Sequence, residues 1–384
     1  MSDVFMNTYH RLPVTFTSGD GCYLFDDAGS RYLDFTSGIA VNCLGHRHPA
    51  LISALNIQAN KLFHVSNYYQ CDTAEAFARK LTAAAGMEKV FLCNSGAEAN
   101  ECACKIARKY SLVKYGEGRH TIVSLKGSFH GRTITMLSAT GQERFHTNFG
   151  PFTEGFRFVE PGDVDALKTT LDSSVCALLI EAVQGESGVV PQSADFVGAA
   201  AEICAKKDIL LMFDEIQCGL GRTGTFFAFE SYGVKADVAT LAKGIAGGLP
   251  MGAALAGEKA CDVLAVGDHG STCGANPLAA ACGIAVLDIV NTPAFLSEIA
   301  EKGAYFMEKL ETLKPMVKAV RGKGLMLAAD LNVEARPVLE KLLKRGVLAL
   351  SAGEGKTLRF LPPYIISKDQ IDAGLDVLRG VLAD

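Results

Sequence analysis

Short apolar runs alternate with longer amphipathic stretches through the middle of the chain, from about Pro49 onward. The runs lack the polar alternation of a half-exposed strand, and they read VFLC (90–93), TIVSL (121–125), VCALLI (175–180) and ILLMF (209–213). Strands of this kind are buried on both faces, and helices between them supply the connections of a parallel sheet. The pattern therefore predicts an α/β fold with a mostly parallel central sheet.

The two ends of the chain differ from this middle part. The segment GCYLFDDAGSRYLDF (21–35) has two strand-like runs around a turn rich in Asp and Gly, which predicts a hairpin. After Pro277, an apolar helical stretch (278–290) and an amphipathic one (295–313) precede further strands and helices. We expect a large domain over residues 49–277 and a smaller α+β domain built from residues 1–48 and 278–384.

Composition excludes several classes of protein. With 384 residues, of which 49% are hydrophobic and 21% charged, the chain has the composition of a folded globular protein of about two domains. Its net charge of −5 and the lack of Lys/Arg clusters give nucleic-acid binding little support. No apolar run approaches the roughly 18 residues that span a bilayer, and the N-terminal stretch MSDVFMNTYHRLP has no apolar signal core. Twelve scattered cysteines without CxxC spacing indicate reduced thiols in the cytoplasm, without a metal site.

One lysine stands apart from the others. Lys243 is the only basic residue in ADVATLAKGIAGGLPMGAALAG (236–257), where it lies at a glycine-rich turn between apolar runs. Most lysines are solvated surface groups, but a charge among buried strands is costly unless it is paired or neutralised. A lysine that loses its proton attacks carbonyl carbons and forms Schiff bases. The position therefore predicts a lysine that carries a carbonyl cofactor.

An aspartate follows a neighbouring strand. Asp214 comes directly after ILLMF, and the carboxyl ends of strands are the edge where open α/β sheets bind ligands. A helix cap is the alternative role for this residue. Because Lys243 follows the next apolar run (238–241), the two residues form the pair that pyridoxal phosphate needs, which is a lysine for the imine and a carboxylate for the protonated ring nitrogen. No GxGxxG follows the first predicted strand, which disfavours a nicotinamide enzyme.

Further polar and aromatic residues follow other predicted strands. In CNSGAEANE (93–101), Gly96 and Ala97 would offer free N–H groups at a helix N-terminus, a site for phosphate. In KGSFHGRT (126–133), Phe129 could stack on a planar ring and Arg132 could bind a carboxylate, although core and surface roles are the commoner ones. His130 fits a structural hydrogen bond better than a catalytic base.

Two other segments offer hydrogen-bonding groups with open alternatives. Gln217 could contact the phenolic oxygen of the cofactor or cap a turn. Ser271 and Thr272 lie in a glycine-flanked loop, where their hydroxyls suit a phosphate or a carboxylate, or the local backbone.

At these residues the chain resembles the class III (subgroup II, fold type I) pyridoxal phosphate-dependent aminotransferases, and within them the acetylornithine branch. The resemblance covers nearly the whole chain and rests on eleven segments in family order: NTYHRLPVTF, YLDFTSGIAVNCLGHRHP, FLCNSGAEANE, SFHGRT, LSATG, EAVQGESGVV, LLMFDEIQCGLGRTG, TLAKGIAGGLPMGA, HGSTCGANPLA, VRGKGLM and LRFLPP. One such motif would be weak evidence, but eleven in order are specific.

The resemblance implies a role for each matching residue at the cofactor. It places the imine on Lys243 and the partner of the ring nitrogen on Asp214. The other cofactor-binding residues that it implies are Gly96, Ala97, Phe129, Glu215, Ile216, Gln217 and Thr272. Among these, Thr272 would contact the phosphate bound by the neighbouring subunit, so the resemblance implies a homodimer with shared active sites.

The resemblance also implies how substrates bind. Arg132 and Ser271 match positions that hold the carboxylate of the amine donor. Arg359 matches the arginine for the α-carboxylate of glutamate and 2-oxoglutarate, and Glu186 matches the residue that pairs with it when that carboxylate is absent. Two residues depart from the family pattern: Ser187 replaces a common glycine and Cys273 a common aromatic residue.

The implied reaction transfers the terminal amine of N2-acetyl-L-ornithine to 2-oxoglutarate, a step of arginine biosynthesis. The segment SGIAVN (37–42) lacks the tyrosine with which ornithine δ-aminotransferases recognise a free α-amino group, which favours an acylated donor. Succinylornithine, ornithine, 4-aminobutyrate and an acylated lysine-pathway intermediate remain alternative donors. A non-catalytic dimeric scaffold is a further alternative, which the intact Lys243, Asp214 and Arg359 disfavour.

Overall fold

The computed structural model describes residues 4–384. Its strands, numbered in chain order, are β1 Phe16–Asp20, β2 Tyr23–Asp26, β3 Arg31–Asp34, β4 Lys89–Cys93, β5 Thr121–Leu125, β6 Phe156–Val159, β7 Val175–Ile180, β8 Val183–Gln184, β9 Val190–Pro191, β10 Leu210–Asp214, β11 Val238–Leu241, β12 Gly252–Ala256, β13 Val317–Lys323, β14 Met326–Leu331, β15 Val347–Leu348, β16 Leu350–Ala352 and β17 Thr357–Phe360. Its α-helices are α1 Ser37–Ala40, α2 Pro49–Ala59, α3 Asp72–Ala85, α4 Gly96–Tyr115, α5 Ile134–Ala139, α6 Val164–Thr170, α7 Ala194–Lys207, α8 Pro277–Val290, α9 Pro293–Glu311, α10 Ala335–Lys344 and α11 Lys368–Ala383.

A seven-stranded sheet forms the centre of the described chain, in the order β4-β12-β11-β10-β7-β5-β6. Strand β12 pairs antiparallel with β11 and β4, and the other pairs are parallel. Every residue of β5, β7, β10, β11 and β12 is buried, as expected for strands covered on both faces. The α/β fold with a mostly parallel sheet, predicted from the apolar runs, is confirmed.

The same arrangement brings several chain segments to one edge of the sheet. Strands β5, β10 and β11 are parallel and end at this edge, where α4 begins close to the end of β4. Helix α4 packs against β11 and β12, and its N-terminus is capped by the Ser95 side chain, which accepts a hydrogen bond from the N–H of Glu98 (3.2 Å). A ligand at this edge can therefore contact the strand ends and the start of α4 together.

The N-terminal strands pair with the C-terminal part of the chain. Strands β2 and β3 form the predicted hairpin, and β15 joins β3 in parallel through Val347 and Leu33. A second small sheet has the order β13-β14-β17-β16. Phe35, Phe306 and Phe360 pack together with ring centroids 5.3–5.9 Å apart, and so join the end of β3, α9 and β17. The proposed domain boundaries after residues 48 and 277 stay predictions.

A buried arginine connects the large sheet to the small one. Arg222, in the loop that follows β10, is 0% exposed and donates through Nη1 to the carbonyl oxygens of Leu325 (3.1 Å) and Pro362 (2.6 Å). Its guanidinium lies 4.3 Å from the ring centroid of Tyr364, which offsets part of the cost of burying the charge. These contacts hold the segment after β17 against the loop that follows Asp214.

Helices α8 and α9 follow the apolar and amphipathic stretches predicted for this region. Among residues 4–384, no single helix has the length and apolarity to cross a membrane. Helices α8 and α9, which are bent by 75° at the break between them, reach the length and apolar composition of a membrane-crossing segment only when they are taken together.

Two helical glycines predict opposite responses to the same substitution. A Cβ at Gly303 in α9 would lie 2.4 Å from the carbonyl atoms of Gly324, whereas a Cβ at Gly198 in α7 would meet nothing within 4 Å. We expect Gly303→Ala to lower the free energy of unfolding by about 1–3 kcal/mol, and Gly198→Ala to raise it by about 0.5–1 kcal/mol because alanine favours the helix. Thermal and urea unfolding of both variants measures the difference, and equal shifts would contradict this packing.

Candidate active site

A cavity of about 340 Å³ lies at the edge where β10 and β11 end and α4 begins. The residues predicted for the cofactor that line it are Gly96, Ala97, Phe129, Asp214, Ile216, Gln217 and Lys243. They come from four separate segments of the chain. The structure therefore brings together most of the site that the sequence predicted.

Asp214 is held at the end of β10 by hydrogen-bond donors. One carboxylate oxygen, Oδ2, accepts from Nδ1 of His130 (2.8 Å) and from Nδ2 of Asn100 (2.7 Å), and Oδ1 accepts from the N–H of Ile216 (3.1 Å). Because the carboxylate accepts, we assign the imidazole proton of His130 to Nδ1. Asp214 is 3% exposed and lines the cavity, so the arrangement fits a carboxylate prepared to pair with a cationic ring nitrogen.

Lys243 follows β11 after one residue and lines the same cavity. Its backbone has φ = 51°, the left-handed region that non-glycine residues rarely adopt, which is typical of strained functional positions. Burial lowers the pKa of its amine to about 8; Glu186 raises this pKa and Arg359 lowers it. About a tenth of the amine is therefore unprotonated at pH 7, far more than for an ordinary lysine, and the unprotonated form is the nucleophile toward an aldehyde.

The start of α4 provides an anion site beside this pair. The N–H groups of Gly96 and Ala97 belong to the first helical turn, which has no intrahelical acceptors for them. A Cβ at Gly96 would lie 2.8 Å from Cδ1 and 3.0 Å from Cγ2 of Ile216, so glycine lets this turn approach the end of β10 without displacing that side chain. The start of α4 and the Ile216 side chain are thus close together, so one ligand at this edge can reach both.

The guanidinium of Arg132 packs against two aromatic rings. It lies 4.1 Å from the ring centroid of Phe145 and 5.3 Å from that of Phe129, and the residue is exposed. Within residues 4–384, no carboxylate forms an ion pair with it. The planar fork of N–H donors is therefore open to a substrate carboxylate.

Arg359, unlike Arg132, is buried and already paired with a carboxylate. It is 2% exposed, and its Nη1 donates to Oε1 of Glu186 (2.6 Å), Oε1 of Gln217 (3.0 Å) and the carbonyl oxygen of Gly185 (3.1 Å). Burial alone would raise the pKa of Glu186, but Arg359 and Lys243 hold it below its ordinary value. The second arginine is thus closed by a carboxylate of the protein.

The structure places Glu215 away from the cavity. Its buried carboxylate accepts from the N–H groups of Ala228 (2.8 Å) and Phe229 (3.0 Å), and burial raises its pKa to about 8. Side chains alternate in direction along an extended segment, so Glu215 points away while Asp214 and Ile216 line the cavity. The cofactor-binding role given to Glu215 has no support in this geometry.

The loop with the predicted hydroxyls also lies outside this cavity. Ser271 accepts through Oγ from Nδ2 of Asn94 (2.9 Å) and lines a second cavity of about 430 Å³. Thr272 and Cys273 are exposed, and the hydroxyl of Ser187 donates to Gln184 (3.1 Å). Within residues 4–384, neither Ser271 nor Thr272 therefore lines the cavity that holds Lys243 and Asp214.

Two buried residues of the site were missed by the sequence interpretation. Glu181 accepts from the N–H groups of Phe129 (2.9 Å) and Gly185 (3.2 Å), and burial raises its pKa to about 7. Glu181 directly follows the apolar run VCALLI, just as Asp214 directly follows the apolar run ILLMF, so the same signal could have identified it. Asn100 lies one helical turn after Gly96, on the helix that starts at the anion site, and helical spacing could have identified it.

The pKa of Lys243 predicts a measurable pH dependence. In cofactor-free protein, labelling of Lys243 by reductive methylation should rise with a midpoint near pH 8, because burial lowers its pKa to that value. Glu186→Gln removes a carboxylate that raises this pKa, so the midpoint should move to lower pH. Glu354→Gln serves as the control, because Glu354 is an exposed carboxylate that lines the same surface cavity as Glu186. Peptide mass spectrometry measures the labelling, and an unchanged or higher midpoint in Glu186→Gln would be inconsistent with the geometry.

Comparison with known proteins agrees with this site. The family model for Aminotransferase class-III matches residues 4–382. The chain is 46% identical over 383 residues to the acetylornithine aminotransferase of Caldanaerobacter subterraneus subsp. tengcongensis, covering 99% of this chain and 97% of that protein. In structure it is similar to the ornithine aminotransferase from Toxoplasma gondii ME49, with a TM-score of 0.94 at 32% identity over 99% of this chain and 92% of that one. The N-acetylornithine aminotransferase from Stenotrophomonas maltophilia K279a gives a TM-score of 0.85 at 34% identity over 98% and 97%.

These matches confirm the family, the enzyme class and the cofactor that the sequence predicted. The cavity fits that cofactor, because a lysine and a carboxylate meet a helix N-terminus at one sheet edge. The chain belongs to the class-III aminotransferases, which depend on pyridoxal 5′-phosphate.

Proposed function

We propose that the protein transfers the terminal amine of N2-acetyl-L-ornithine to 2-oxoglutarate, yielding N-acetyl-L-glutamate 5-semialdehyde and glutamate, as in arginine biosynthesis. The observation that carries this proposal is the difference between the two arginines: Arg132 is open and Arg359 is closed by Glu186. The name of the relative that is 46% identical supports it as well.

The two arginines fit two substrates that present different groups to the cofactor. A donor that reacts at its terminal amine keeps its α-carboxylate far from the ring, where Arg132 would bind it. Glutamate reacts at its α-amine and brings its α-carboxylate close to the ring, where Arg359 would bind it. Glu186 neutralises Arg359 during the first half-reaction, since an unpaired buried guanidinium is costly.

The side chain that the SGIAVN segment contributes to the cavity is apolar. Val41 lines the cavity, in the SGIAVN segment that lacks a tyrosine. An apolar side chain suits an acylated amine better than a charged one. Ornithine is the second candidate donor, because the chain superimposes on an ornithine aminotransferase with a TM-score of 0.94.

The cofactor would be held by residues already placed at the cavity. Lys243 would bind its aldehyde carbon, Asp214 its ring nitrogen, Gln217 its phenolic oxygen, and Gly96 and Ala97 its phosphate. Phe129 and Ile216 would lie on the two ring faces. Bound there, pyridoxal phosphate supplies an electron-withdrawing ring that carries the amino group between substrates. The amine of Lys243 would also take up and return the proton of the substrate carbon as a general base and acid.

We infer a homodimer with shared active sites. The loop before α3 exposes large side chains, with Phe63 at 61%, Tyr68 at 95% and Tyr69 at 70% exposure, an extent that is typical of a protein interface. Tyr69 and Ser271 line the second cavity, and Thr272 next to Ser271 is exposed. A second copy on this face would cover Thr272, as its implied role at the neighbouring subunit's phosphate requires. The cysteines of the described residues are all unpaired, which supports a reducing, cytoplasmic location.

The proposed reaction is tested by a panel of amine donors with 2-oxoglutarate. Acetylornithine, succinylornithine, ornithine and 4-aminobutyrate are compared by kcat/KM for glutamate formation. Acetylornithine should give the highest value. A higher value for ornithine would replace the proposed donor, and no turnover with any donor would support the scaffold alternative.

The covalent link predicts one labelled peptide. Borohydride reduction of the holoenzyme, followed by peptide mapping, should place the pyridoxyl group on Lys243, because this amine lines the cavity at a lowered pKa. Lys243→Ala should retain cofactor through the phosphate contacts and lose turnover. A pyridoxyl group on any other lysine would refute the assignment.

The two arginines predict asymmetric losses. Arg359→Ala should weaken the half-reaction with glutamate or 2-oxoglutarate by about 2–5 kcal/mol and spare the donor half-reaction, because it removes one partner of a desolvated ion pair. Glu186→Ala should leave Arg359 open and raise the reaction with α-amines. Arg132→Ala serves as the comparison and should weaken both halves, since the distal carboxylate of glutamate reaches the same arginine. Single-turnover absorbance separates the halves, and equal losses in Arg359→Ala would disprove this division of roles.

A further inference from the structure

The side-chain amide of Asn100 joins the segments that surround the cofactor cavity. Asn100 is 0% exposed and lies on α4, one turn after Gly96. Its Nδ2 donates to Oδ2 of Asp214 (2.7 Å) and to the carbonyl oxygen of His130 (2.8 Å), and its Oδ1 accepts from the hydroxyl of Thr240 (2.7 Å). One amide therefore connects the phosphate-binding helix with the ends of β10 and β11 and with the loop after β5.

These contacts allow one orientation of the amide. The carbonyl oxygen of His130 only accepts hydrogen bonds, so the atom facing it must be Nδ2. Rotation of the amide by 180° would place Oδ1 against the Asp214 carboxylate and against this carbonyl, and would leave buried donors unpaired, at high cost. The donor to Asp214 is therefore fixed in direction by two other contacts.

We propose that Asn100 is a positioning residue that holds the Asp214 carboxylate at a set place relative to the phosphate turn, and so strengthens the contact of Asp214 with the cofactor's ring nitrogen. This inference rests on the proposed placement of Asp214 at that nitrogen. The phosphate is joined to the pyridine ring by a short CH2–O arm, so the start of α4 and the end of β10 must keep a separation that this one ligand can span. Asn100 is hydrogen-bonded to Asp214 at the end of β10 and lies one helical turn after the start of α4.

The test compares two ligands that differ at the ring nitrogen. Dissociation constants of cofactor-free protein are measured for pyridoxal 5′-phosphate and for its 1-deaza analogue, in which a C–H replaces that nitrogen. The wild type should bind pyridoxal phosphate more tightly, because Asp214 pairs with the protonated nitrogen. Asn100→Leu removes a donor to a charged group and should reduce this preference by about tenfold. Thr240→Val removes one of the three hydrogen bonds that hold the amide and leaves Oδ1 of Asn100 without a donor, so it should reduce the preference by a smaller factor of about two- to fivefold.

Ser111→Ala is the matched control. Ser111 is a buried residue of the same helix whose hydroxyl has no partner within residues 4–384, so both constants should stay unchanged. An unchanged preference in Asn100→Leu, or an equal loss of affinity for both ligands, would overturn the positioning role in favour of simple packing. If Asn100→Leu does not fold, Thr240→Val decides, and an unchanged preference there overturns the proposal.

Asp214→Ala separates this inference from the proposed function. Loss of the preference in Asp214→Ala establishes the contact with the ring nitrogen, whatever the result for Asn100. If Asp214→Ala keeps the preference, the placement of Asp214 is wrong and the inference falls with it.

Discussion

The active site depends on compensating the charge of ionisable groups inside the protein. Asp214 is stabilised by N–H donors from a helix, a loop and its own turn. Arg359 is stabilised by a carboxylate. Burial lowers the pKa of the Lys243 amine, so that part of the amine is neutral. These environments suit the proposed roles of the three groups: Asp214 as a carboxylate held in place, Arg359 as a cation with a replaceable partner, and Lys243 as a nucleophile.

Local sequence patterns were sufficient for much of this arrangement. Fully apolar runs identified the parallel strands, and the residues that follow them identified Asp214 and Lys243, because parallel strands end at one edge of a sheet. The same rule applied to Glu181, which follows β7, and the sequence interpretation did not use it. The resemblance implied that Glu215 contacts the cofactor. In the structure this side chain points away from the cavity, because successive side chains alternate in direction along the chain.

Contacts between distant segments could not be read from such patterns. Arg359 meets Glu186 across 173 positions of the chain, and Arg222 meets Pro362 across 140. Their pairing depends on how the small sheet packs against the large one, and no local period encodes that. The resemblance supplied the first pair, but neither the residues nor the resemblance indicated that Arg222 holds the segment after β17 in place.

The two partners of the ion pair between Arg359 and Glu186 differ in exposure, and this difference indicates which of them moves when the pair opens. The side chain of Arg359 is 3% exposed, whereas that of Glu186 is 27% exposed. A carboxylate that swings away can be hydrated at once, but a guanidinium at this depth would lose its partner without gaining water. Arg359 also keeps its bonds to Gln217 and to the carbonyl oxygen of Gly185, while the segment after β17 is held by Arg222. The moving part of the proposed exchange is therefore Glu186, and the arginine remains in place to meet the incoming carboxylate.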